Sequence, residues 1–114
     1  MVAAYYRHEF KQGESYSIDI ELRDSNGPIN TTGWTGASGI KTLDNAIPIG
    51  SDNQPIAFAV TFPTSGTVRF RLTSAKTAAL PPKRYLSDAR LSDASGDPAY
   101  YLDGDVIVRR SYTP

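Results

Sequence analysis

The sequence predicts an all-β chain folded as a two-sheet β-sandwich, with one short connecting helix. Three observations point there. Apolar and polar residues alternate with period two in several stretches. Turn clusters of Gly, Asn, Asp, Ser and Pro recur at roughly ten-residue intervals. Only one short run, near residues 75–80, has helix-forming character. At 114 residues the chain has the length of one domain, spanning 1–114. A domain of this size hides about two-thirds of its surface on folding and needs no staples.

Taken in order, Tyr5 to Phe10 reads as an edge strand with His8 exposed on it. Gly13-Glu14 opens a clear alternation in which Tyr16, Ile18, Ile20 and Leu22 share one face and Ser17, Asp19, Glu21 and Arg23 the other. That is a half-buried strand, ended by the turn Asp24-Ser25-Asn26-Gly27-Pro28. A polar connection leads through Trp34 into a glycine-containing strand over 34–42. Residues 43–54 read as a surface loop with Ile47 and Ile49 tucked beneath it. Ile56–Phe62 and Thr67–Thr73 are two strongly alternating strands, with hairpin chemistry in Pro63-Thr64-Ser65-Gly66. Ser74 is positioned to cap a short helix that Pro81-Pro82 stops, and Leu80 pins it. Tyr85 to Leu91 is a strand with Tyr85, Ser87, Ala89 and Leu91 on one face. After the turn Asp93–Pro98, Ala99–Leu102 and Gly104–Arg110 form one last strand, with Gly104 a candidate break. Val106-Ile107-Val108 is apolar on both faces, as a central strand requires. The end, Tyr112-Thr113-Pro114, reads as loose.

Composition excludes several functions. Twelve Lys+Arg balance twelve Asp+Glu, so no global field gathers nucleic acid or an anionic membrane. Cysteine is absent and His8 is the sole histidine, which rules out thiolate chemistry, disulfides and Cys- or His-rich zinc sites. A Ser-His-Asp triad would have to use His8. No stretch approaches the length of a membrane-spanning helix, and Met1–Tyr6 lacks the pattern of a secretory signal. Arg69 and Arg71 around Phe70, with Arg109-Arg110, form basic strips that acidic residues offset elsewhere, so no nucleic-acid partner is expected. Asp24, Asn26, Asp103 and Asp105 read as turn formers rather than calcium ligands. Asp19 and Glu21 share an outward face where carboxylates are merely solvated, so neither reads as catalytic. Trp34 reads as a core-edge residue or a protein-contact anchor. Adjacent tyrosines in a strand point to opposite faces, so each of the pairs Tyr5-Tyr6 and Tyr100-Tyr101 sends one ring outward. With Trp34 and Tyr112 these are the candidate protein-contact residues, since outward tyrosines suit interfaces.

The order and spacing of several segments carry a resemblance. They are Gly13-Glu14-Ser15-Tyr16, Ile18–Ile29, Thr32-Gly33-Trp34-Thr35, Gly66-Thr67-Val68, Leu72-Thr73-Ser74, Thr77–Pro81, Arg84-Tyr85, Asp88–Gly96 and Leu102–Val108. Together, over about 13–108, they resemble the immunoglobulin-like module of tailed-bacteriophage structural proteins and are similar to the N-terminal domain of phage baseplate upper proteins. The Gly-, Pro- and Asn-rich loop from Thr42 to Pro55 departs from that pattern. The resemblance implies an immunoglobulin-like sandwich and a non-enzymatic virion protein, assembled in the host cytoplasm. It would act as an adaptor in the tail, baseplate or fibre region. The implied partners are other virion proteins and copies of itself in a symmetric assembly. No cofactor, metal, membrane or small-molecule substrate is implied. Two alternatives remain on the residues: a capsid decoration (cement) protein, and a carbohydrate-binding or host-adhesion module whose Trp34 and tyrosines stack on sugar rings.

Overall fold

The computed structural model describes residues 2–112, with side chains from Tyr5 onward. The elements are β1 (Val2–Lys11), β2 (Tyr16–Glu21), β3 (Arg23–Asp24), β4 (Gly27–Pro28), β5 (Thr35–Lys41), β6 (Ala59–Thr64), β7 (Thr67–Leu72), α1 (Ser74–Ala78), β8 (Arg84–Ser92) and β9 (Pro98–Arg109). One sheet runs β1-β9-β8-β5 and the other β2-β7-β6, with β3-β4 a small ribbon beside them. The chain crosses between layers at β1–β2, again from β2 through the β3-β4 ribbon to β5, and at β5–β6 and β7–β8, so each sheet mixes early and late strands. This is an immunoglobulin-like sandwich.

Alternation builds the core. Val68, Phe70 and Leu72 of β7 are buried, as are Tyr85, Ala89 and Leu91 of β8 and Leu102, Val106 and Val108 of β9. Their intervening outward neighbours face solvent or are half-buried, Asp105 of β9 excepted, as period two requires. β9 lies between β1 and β8, which explains its apolar run at Val106–Val108. The molecule measures 46 × 26 × 23 Å and exposes 6774 Å², more than the roughly 6,100 Å² typical of its mass. An elongated two-layer form with a modest core accounts for the excess.

The corner between β7 and β8 is the best-fastened part. Tyr85, fully buried, donates its hydroxyl to the Pro81 carbonyl at 2.6 Å, which is the tyrosine corner of immunoglobulin-like sandwiches. Buried Thr77 donates to the Glu14 carbonyl at 2.8 Å, and Gln12 Nε2 to the Leu80 carbonyl at 3.1 Å. A helix of one turn is marginal alone; these bonds hold it against the β1–β2 turn.

Several expectations are corrected. Thr73, not Ser74, is the helix cap, its side chain accepting from the Lys76 amide, and the helix ends at Ala78 rather than Leu80. Leu80 is fully buried as expected. The strand whose alternation was expected to run from Tyr16 to Arg23 stops at Glu21. Leu22 drops into the core at 1% exposure, and a turn closed by Asp24 Oδ1 accepting from the Asn26 amide follows. The β6–β7 turn is only Ser65-Gly66, because Pro63 and Thr64 belong to β6 across a register shift. Gly66 supplies the left-handed φ of +88° that this turn needs. β9 runs unbroken through Gly104. Ile47 and Ile49 are not tucked away but 51% and 49% exposed. The loop satisfies its own backbone through bonds such as Thr42 N to Ala46 O, and Ile56 and Phe58 fill the interior instead. The expectation for residues 113–114 lies outside the described residues.

Candidate functional site

Four surfaces or clusters carry chemistry, and none has the form that a triad or a metal centre would take. The first is interior. His8 was expected on the surface of an edge strand; β1 is an edge strand, but His8 is only 4% exposed. It shares the inward phase of Phe10, and that phase was readable in Tyr6-Arg7-His8-Glu9-Phe10. Its ring packs among Tyr6, Tyr16, Phe58 and Phe70, with centroids 4.4–5.6 Å away. Nδ1 lies 2.8 Å from the Tyr16 hydroxyl. Burial pushes the imidazole down to about 4 and the Tyr16 phenol up, because the apolar cage disfavours either charged form. A void of about 10 Å³ adjoins the ring, beside Ala89 and Leu102, roughly the size of one water.

The second is a cluster on the outer face of the four-stranded sheet. Asp105 is 2% exposed, and its oxygens accept from Arg84 at 2.9 Å and Arg7 at 3.4 Å. Hydrogen bonds from Arg84 and then Tyr5 hold its carboxyl below the usual range. Asp105 was expected as a turn former. It lies instead mid-strand, opposite Arg7 on β1 and Leu86 on β8. The residues that bury it are far apart in sequence, so nothing local announced them.

The third is the seam between β5 and β6. Trp34 and Phe62, both half-buried, meet edge to face at 6.3 Å. Threonines 31, 32, 35, 61 and 64 line the cleft around them. Ser38 closes the seam further along by donating to the Phe58 carbonyl at 3.0 Å.

The fourth is the set of strand edges and their outward rows. Tyr5 is 62% exposed and Tyr6 half-buried; Tyr101 is half-buried and Tyr100 only 9% exposed. Each pair thus sends one ring outward, but Tyr100 belongs to the core and is no contact residue. Tyr112 is 88% exposed beyond β9. The structure brings Tyr5 close to Arg84 and Asp105 and leaves Trp34 on a different part of the surface. Exposed apolar side chains gather where β5 ends: Leu43 and Leu86 border one shallow depression floored by Gly39. One arginine of each basic strip is ion-paired. Arg69 donates twice to Asp19, at 2.7 and 3.0 Å, and Arg109 to Glu9 at 3.1 Å. Among the described residues no group of three His, Cys, Asp or Glu side chains is placed to hold a metal ion. No helix among them is long and apolar enough to cross a membrane.

No protein-family model matches the chain, and no curated protein matches it. Solved structures do. An endo-fucoidan hydrolase of glycoside hydrolase family 107 aligns with a TM-score of 0.54 and 10% identity, over 97% of this chain and 13% of that one. An internalin-like protein of Listeria monocytogenes aligns at 0.45 and 16% identity, over 95% of this chain and 28% of that one. The SrpA adhesin of Streptococcus sanguinis aligns at 0.45 and 16% identity, over all of this chain and 60% of that one. The chain therefore spans less than two-thirds of each of these proteins. The first likeness is one of fold, and the fold is the β-sandwich described above.

Proposed function

We propose that this chain is a non-enzymatic assembly module that works through protein–protein contacts, as an adaptor in the tail, baseplate or fibre region of a tailed-phage virion. The phage assignment rests on the sequence resemblance. The observation that carries the contact role is the outer surface. It offers unpaired strand edges at β1 and β5, an outward Tyr5, and exposed Leu43 and Leu86 at the end of β5. Strand edges bind by main-chain hydrogen bonds, and exposed apolar and tyrosine side chains supply contact area. The sole histidine is spent on the interior, bonded to Tyr16 within an aromatic cage, which suits a role in packing. A capsid decoration role needs the same fold at a different address.

Deleting the gene from the phage that carries it tests the reading. Particles should then lack a tail-proximal feature, or fail to join tail and head, and supplying the chain in trans should restore them. Normal particles with full infectivity would contradict it. The cleft around Trp34 and Phe62 favours one second reading, a glycan site, since a half-exposed aromatic ring edged by hydroxyls suits a neutral sugar. Saturable quenching of Trp34 fluorescence by one glycan would support that reading over the first.

A further inference from the structure

We infer that β5 accepts strand β1 of the next copy of this chain, in parallel, so that copies join head to tail through one continuous sheet. This deepens the assembly reading above and rests on it.

The two main sheets end in four edge strands, β1, β5, β2 and β6. Folded proteins protect such edges with charges, prolines and bulges. β6 carries Pro63 and a register shift. β2 carries Asp19 and Glu21 on its exposed face, and β1 carries Arg7, Glu9 and Lys11. β5 reads Thr-Gly-Ala-Ser-Gly-Ile-Lys, with a single charge at its last residue, no proline and an unbroken register with β8. It is the least protected of the four.

Charge selects the occupant. The outward row of β5 is Thr35, Ala37, Gly39 and Lys41, each paired with the β8 row Ser92, Arg90, Asp88 and Leu86. Ala37 and Gly39 are too small to hide what lies behind them. Asp88 leans over Gly39, its Oδ1 3.3 Å from where a Cβ would sit. Neither Asp88 nor Arg90 is in an ion pair within the described chain. Asp88 also lies opposite another carboxylate, Asp103, on β9, an unfavourable pairing. An incoming parallel strand therefore fits best with an acid beside Ala37 and a base two residues later beside Gly39.

β1 supplies that pattern in Glu9-Phe10-Lys11. Its outward row is Tyr5, Arg7, Glu9 and Lys11. Setting Glu9 beside Ala37 places Lys11 beside Gly39, within reach of Asp88, and Arg7 beside Thr35. Lys11 has no ion pair of its own, while Glu9 would sit between its own Arg109 and the neighbour's Arg90. The directions also agree. β1 is parallel to β9, and both β9 and β5 are antiparallel to β8. The two edges of one sheet thus run the same way, and the next copy joins in the same orientation, as a heterologous contact. The same register sets Tyr6 opposite Trp34 at the open seam. A second β5 fits worse: antiparallel pairing centred on Gly39 sets Lys41 opposite Ala37, beside Arg90.

The test is sedimentation velocity over a concentration series, with the shift in Trp34 fluorescence as a second signal. The wild-type chain should associate with rising concentration. Asp88→Lys and Lys11→Glu should each weaken association about tenfold or more, and an equal mixture of the two variants should associate again. Both variants keep the fold, since Lys11→Glu faces Arg109 and Asp88→Lys faces Asp103; melting curves check this. Oxidised Ala37→Cys/Glu9→Cys double variant should run as a ladder on a denaturing gel. A wild type that stays monomeric throughout, single variants that associate like wild type, or no ladder overturns the inference. If the chain is found in virions while the purified protein never self-associates, this inference fails and the assembly reading stands. Self-association of a chain absent from virions gives the reverse result.

Discussion

His8 is the residue whose environment departs most from what its place in the sequence suggests. The imidazole is neutral in the folded state down to about pH 4, whereas in the unfolded chain it titrates near 6.5. The unfolded state therefore takes up a proton first as pH falls, and folding stability declines between about 6.5 and 4. Above that window the contribution is complete. The groups packed on the ring are Tyr6 from its own strand, Tyr16 from β2, Phe70 from β7 and Phe58 just before β6. None of them is a cation or carboxylate that would offset the loss. The full shift corresponds to about 3 kcal/mol. Chemical denaturation at pH 7 and at pH 4.5 should show most of that difference in the wild type and little of it in His8→Phe. An equal pH slope in both would place the titrating group elsewhere. Phase with Phe10 was the signal for this burial; a histidine in an otherwise charged strand obscured it.

At the scale of elements, what could be read from the sequence was local. The β6–β7 hairpin, the β8 face and the short helix all follow from alternation, turn residues and proline. Long-range pairing was not readable. β1 lies parallel to β9 with Tyr6 opposite Gly104, and the partners are about a chain length apart, joined by backbone bonds that any residue makes. Gly104 is the one sequence mark of that contact. A Cβ there would stand 1.8 Å from the Tyr6 carbonyl oxygen, inside any tolerable distance. The sequence suggested a break in β9 at this glycine, whereas the glycine lets a neighbouring strand approach. Gly104→Ala should cost on the order of 3 kcal/mol or more and strip amide-exchange protection from β1 before β8. Unchanged protection along β1 would refute the pairing. The candidate contacts were legible in part for the same reason. Alternation alone shows that one ring of each tyrosine pair faces out, but which one depends on where β1 and β9 sit in the sheet. That placement put Tyr5 outside and Tyr100 inside.

The whole molecule is a two-layer sandwich with a modest core, one tightly fastened corner at Tyr85, and open edges on its larger sheet. In the proposed assembly role, neutral net charge leaves docking to packing and strand addition rather than long-range attraction. Weak contacts of that kind become effective when many copies act together, so the proposed role calls for a repeated position in a symmetric assembly. The most direct test is the copy number of the chain in purified virions, measured by quantitative mass spectrometry against the major capsid protein. A tail-region adaptor is predicted to be present in a small symmetric multiple. Absence from the particles would contradict the account, and copies on the order of hundreds would move the chain to the capsid surface.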